Sequence, residues 1–260
     1  MAAKKTGMLV HAIAVLSNHY HVVLTDPYAR LPEFSAYLHK LVAKCVNASL
    51  GRWENLWSSE KPSAVKLSSA DDVMKRVVYT ACNPVAAGLV AKPQHWPGLI
   101  AYLPGQKLTA KRPAVYFSED GKMEESAELT LTMPPQYGHL NEQEYVAQLT
   151  EKIGRKEESI HAEMNQTGRF FMGRQAVMQQ RHTDSPLSRE PRRNLNPQVA
   201  CKSKWHRIEA LQRLKSFQSD YKEALKRWRD GEHNVVFPAG TYAMRVHAGV
   251  KCAPTQGAPP

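Results

Sequence analysis

Two stretches near the start of the chain, Met8 to Leu16 and Val22 to Thr25, are so rich in apolar, β-favouring residues that they constrain the fold before anything else does. We read a strand over Met8–Leu16 and its continuation through His19-Tyr20-His21. Side chains alternate faces along a strand, so His19 and His21 share one face while Tyr20 points to the other. Two imidazoles on one face make half a site for a divalent cation. Histidines favour transition ions and leave the remaining ligands unspecified.

The following residues supply what the pair lacks. Phe34, Leu38, Leu41, Val42 and Cys45 recur at helical spacing over Leu31–Leu50, and Gly51 is a natural stop. A short strand is expected near Ser63–Leu67. A second helix is expected over Ala70–Cys82, with Asp71 and Asp72 in its first turn, Val73, Val77 and Val78 as its apolar stripe, and Pro84 at or just past its end. Tyr79 and Asn83 are four apart, which on a helix puts both on one face. A phenol nucleophile and an amide oxygen can then meet one metal, and a His, His, Asn set suits Mg²⁺ or Mn²⁺, ions that keep water and phosphate oxygens in their shell. The plain alternative for Tyr79 is a buried tyrosine on an amphipathic helix. The order of elements predicts an α+β fold, an antiparallel sheet with helices on one face.

Ser17-Asn18-His19-Tyr20-His21-Val22-Val23-Leu24-Thr25-Asp26-Pro27, followed by Tyr79-Thr80-Ala81-Cys82-Asn83-Pro84-Val85-Ala86-Ala87-Gly88-Leu89-Val90, resembles the HUH-type single-tyrosine transposases, and within them the REP-associated tyrosine transposase-like branch. The likeness spans residues 8 to about 103 and includes His95-Trp96-Pro97. It implies a ferredoxin-like domain in which His19, His21 and Asn83 bind the metal and Tyr79 is the nucleophile. It also implies a 5′-phosphotyrosyl enzyme with a free 3′-hydroxyl, formed on single-stranded hairpin DNA without a nucleotide cofactor. The same resemblance implies a strand and a helix ahead of Met8. Ala2 to Gly7 reads as the last turn of that helix, with basic residues near its C-terminal dipole and Gly7 at the cap. A sheet lacking its opening strand is expected to expose an edge and an apolar face, and to be poorly soluble or inactive.

Charge agrees with a nucleic-acid partner. The chain carries 35 Lys and Arg against 24 Asp and Glu, a net +11. Residues 169–229 hold 15 of the basic and only 5 of the acidic side chains. Such a concentration binds phosphates in a salt-dependent way. Arg174, Arg181, Arg189, Arg192, Arg193, Lys202, Lys204 and Arg207 are the candidate contacts. Neither a P-loop nor a Rossmann glycine fingerprint is present, and the four cysteines are scattered as in a reduced chain. No run of eighteen apolar residues would span a membrane and no signal-peptide core follows Lys4-Lys5, which predicts a cytoplasmic protein.

Four segments are expected: the transposase-like domain over 1–104, a linker or irregular hairpin region over 105–138, a basic helical region over 139–240 and a tail over 241–260. In the third, helices are expected over Asn141–Glu163, Phe170–Gln180 and Ser203–Arg229. The last bears a stripe of Trp205, Ile208, Leu211, Leu214, Phe217, Tyr221, Leu225 and Trp228, expected to pack on the preceding helix or, second, to form a homodimer. Two other functions compete with the transposase: a catalytically decayed DNA- or RNA-binding protein, and a metal-dependent hydrolase that uses the histidines without a covalent tyrosine.

Overall fold

The computed structural model describes residues 1–59, 62–116, 123–181, 183–184, 197–201 and 203–255. In chain order its first elements are α1 (Ala2–Thr6), β1 (Leu9–Val15), β2 (Tyr20–Thr25), α2 (Leu31–Leu50), β3 (Lys66–Leu67) and α3 (Ala70–Ala86). Then come β4 (Ile100–Ala101), β5 (Lys107–Lys111), β6 (Ser126–Thr130), α4 (Glu142–Gln166), α5 (Arg174–Gln179), β7 (Val199–Ala200), α6 (Lys204–Arg229) and α7 (Ala243–Ala248). The fold is α+β: a three-stranded antiparallel sheet of order β2-β1-β4 with helices, followed by a helical C-terminal region.

The Met8–Thr25 stretch does not run on as one strand but folds back on itself. Ser17 and Asn18 are small and polar and close a two-residue turn, with the Leu16 N–H donating to the His19 carbonyl at 2.8 Å. In the resulting register Ala14 faces His21 and Ala12 faces Val23, with one extra residue, His11, bulged between Val10 and Ala12. His11 is buried. Its Nδ1 donates to the Thr132 carbonyl and its Nε2 accepts from Thr25 Oγ1, each at 2.8 Å. The Thr132 N–H in turn reaches the Val10 carbonyl at 2.9 Å, which fastens the end of the β5–β6 hairpin to β1.

Helices cover both faces of the sheet rather than one, because β1 and β2 are apolar on both sides and neither side can be left in water. On one face Ala12, Ala14 and Val23 meet Val73, Val77, Ala81 and Val85 of α3. On the other, Leu24 packs with Phe34, Tyr37 and Leu38 of α2 and with Ala2 of α1. Gly7 caps α1 at φ 73°, a left-handed conformation natural to glycine, and a Cβ there would stand 2.7 Å from the Tyr28 ring. Trp96 is buried with its indole N–H on the Val15 carbonyl at 3.0 Å, close to where β4 joins β1.

Several boundaries differ from expectation. α3 runs to Ala86 with Pro84 inside it: the proline lacks an N–H, yet Ala87 still donates to Asn83 and Leu89 to Pro84, both at 3.0 Å, so the last turn survives. α4 begins at an Asn141–Glu144 capping box and lays Tyr145, Leu149, Ile153, Ile160 and Met164 into the same core as the sheet and α3. Residue 104 is therefore no break in the core, and α4 belongs with the sheet rather than with the basic region. α5 is only six residues long, because the extended segment before it spends the Met172 and Gly173 N–H groups on the carbonyls of Gly88 and Leu89, both at 2.9 Å. The apolar stripe of α6 does not pack on α5: Trp205 is 78% exposed, while Tyr221, Leu225 and Trp228 close on Val235, Phe237 and Val250 from the segment that follows. From residue 241 on, expected as a tail, the chain holds Val250 and α7, whose Arg245 bonds Glu33 of α2 at 2.9 Å.

Candidate functional site

The antiparallel hairpin places His21 opposite Ala14, on the face that α3 covers. α3 is held there by its buried stripe, and the turn after Arg76 presents Tyr79 to the edge of β2. The His21 and Tyr79 rings meet edge-on, their centroids 5.2 Å apart. The His19 ring stands 4.9 Å from that of His21, also edge-on. Tyr79 is 40% exposed, which sets aside the reading of it as a core tyrosine. Tyr20 points the opposite way, as strand alternation requires, and its hydroxyl hydrogen-bonds His39 Nε2 at 2.7 Å beside Trp57.

Electrostatics keep the histidines neutral. Burial lowers His19 below the ordinary imidazole value. His21 is pushed down to about 4, first by burial, then by repulsion from His19 once that ring is protonated, and by the charge of Arg76. Asn18 Oδ1 accepts from His19 Nδ1 at 2.6 Å, which leaves the lone pair of the neutral ring on Nε2. His21 Nε2 is buried and has no hydrogen-bond partner among the described residues. A buried imidazole nitrogen without a partner is costly unless a ligand satisfies it.

Asn83, one turn beyond Tyr79 on α3, is buried, 8% exposed. Among the described residues no three His, Cys, Asp or Glu side chains converge, so a cation at the two histidines would need a further donor of another kind. Two imidazole nitrogens and one amide oxygen are a donor set that suits a divalent ion of the Mg²⁺ or Mn²⁺ kind.

No protein-family model, curated protein or solved structure matches the chain. The site therefore stands on its own geometry.

Of the basic candidates, Arg174 opens α5, Arg181 follows it, and Lys204 and Arg207 lie in the first turn of α6, all four exposed. Arg189, Arg192, Arg193 and Lys202 lie outside the described residues. The Met172 and Gly173 bonds to Gly88 and Leu89 anchor the start of this basic segment just past the helix that carries Tyr79. Among the described residues no helix is long and apolar enough to cross a membrane. Sequence reasoning missed Arg76, whose guanidinium carbon sits 5.0 Å from the Tyr79 ring centroid. Its signal was the spacing of three to Tyr79, which puts the two side chains on one helical face.

Proposed function

We propose that this protein is a single-strand DNA endonuclease and strand transferase acting through Tyr79, the chemistry of the HUH-type single-tyrosine transposases its two motifs resemble. One observation carries the reading. The His21 ring lies against the exposed Tyr79 ring at 5.2 Å, joining two motifs far apart in sequence, and the buried His21 Nε2 has no partner among the described residues.

The residues divide the work. Tyr79 attacks the scissile phosphorus through its phenol oxygen, losing the phenol proton to solvent. The bond from phosphorus to the 3′ oxygen breaks and that oxygen takes a proton, leaving a 5′-phosphotyrosine and a free 3′-hydroxyl. The tyrosyl ester conserves the bond energy, so a second 3′-hydroxyl is joined by the reverse step without ATP. His19, His21 and Asn83 hold the divalent ion, Mg²⁺ or Mn²⁺, which when bound supplies Lewis-acid polarisation of the phosphodiester. Burial keeps both imidazoles neutral and available as ligands at neutral pH. The basic segment beginning at Arg169 attracts the strand, and a single-stranded hairpin is the substrate class.

Incubating the protein with single-stranded hairpin oligonucleotides and Mg²⁺ or Mn²⁺ should give a denaturation-resistant protein–DNA adduct that Tyr79→Phe abolishes. Salt-sensitive DNA binding with no adduct would instead favour the catalytically decayed binding protein, a reading to which the 15 basic against 5 acidic side chains in residues 169–229 lend weight. Cleavage that survives Tyr79→Phe would point to a hydrolase.

A further inference from the structure

Arg76 begins a line of three polar side chains, Arg76, Tyr79 and Asn83, at spacings of three and four along α3. Its neighbours on the same helix bury Val73, Val77 and Thr80, so this line forms the border between the helix's core face and solvent. Arg76 is half-buried and its guanidinium lies over the Tyr79 ring, which itself touches His21.

The acidic residues that should neutralise Arg76 are engaged elsewhere. Asp72, one turn earlier and the natural helical partner, accepts from the Ser69 hydroxyl at 2.6 Å as part of the N-cap. Asp71 pairs with Lys75. Among the described residues the Arg76 guanidinium has no carboxylate and no hydrogen-bond acceptor. A planar, permanently charged fork left without an anion over the ring of an exposed tyrosine is suited to a phosphate oxygen.

We infer that Arg76 binds the scissile phosphodiester, its guanidinium taking a non-bridging oxygen of the phosphate that Tyr79 attacks. This rests on the reading of Tyr79 as the nucleophile. Charge on the non-bridging oxygens changes during the transfer, and a fixed guanidinium beside them stabilises that redistribution without reorganising solvent. The competing account is a cation–π contact that only braces the helix.

The two accounts differ in what Arg76→Gln and Arg76→Met do. Met keeps the packing of the stem over Tyr79, so it carries the test if Gln fails to fold. Both variants should lower the rate of adduct formation at saturating hairpin DNA by about 100-fold. Both should also flatten the dependence of log binding constant on log salt by about 0.7, the share of one phosphate contact on a single strand. Arg76→Lys should keep the salt dependence and recover part of the rate, since charge returns without the fork. Rates within about threefold of the native protein and an unchanged salt slope would overturn the assignment. Should the native protein form no adduct, the nucleophile reading fails by itself, and the salt slope still decides whether Arg76 touches phosphate.

Discussion

His21 sits where its charge is least welcome, partly buried behind α3 and beside a second imidazole and the Arg76 guanidinium. The folded protein holds it neutral down to about pH 4, whereas in the unfolded chain it takes a proton below about 6.5. Between those values the unfolded state binds more protons, so stability is complete above about pH 6.5 and declines as pH falls toward 4. His19 and His11 are lowered too, mainly by burial, and act in the same direction. Glu33, bound by Arg30 and Arg245 and lowered to about 2, adds a second loss below about 4.5. Urea midpoints measured from pH 7 to pH 4 should therefore fall, and in His21→Asn the fall should be shallower. At this scale the sequence was most informative: the period of two put the histidines together and Tyr20 apart, and the spacing of four aligned Tyr79 with Asn83. The partnerships of His11 were hidden, because a bulge and a threonine 121 positions away leave no local pattern.

The helices were legible wherever a cap announced them. Gly51 ends α2 in the left-handed conformation, Ser69 accepts from the Asp72 N–H to start α3, and Ser203 does the same for α6 through His206. What a helix packs against was not legible. The stripe on α6 has the spacing of a buried face, yet Trp205 and Leu211 in its N-terminal half are exposed, while its C-terminal half closes over Phe237, which is fully buried. Phe237→Ala should therefore cost about 3–5 kcal/mol, read as lost hydrogen-exchange protection from Tyr221 to Arg229. Trp205→Ala should leave stability within about 0.5 kcal/mol of the native value. Two-residue strands such as β4 and β7 escape any periodicity, being defined by their partners in β1 and β3.

Across the whole molecule, the core ignores the compositional boundaries. A shift toward proline and glycine after Pro104 looks like a linker, but the chain beyond it returns: Tyr137 donates to the Ala70 carbonyl at 2.8 Å, and α4 then covers the outer side of α3. A fragment of residues 1–104 leaves Val85, Cys82 and Val78 without Leu149, Ile153 and Ile160. It should lack a cooperative thermal transition, while 1–181 should retain one, as calorimetry would show. The same arrangement imposes a delay during synthesis. At about 5–20 residues per second, the stretch from Val85 to Met164 takes roughly 4–16 s to emerge from the ribosome. For that interval the helix that carries Tyr79 is complete in sequence but its apolar back is uncovered, a window in which chaperones or premature contacts compete with the arrival of α4.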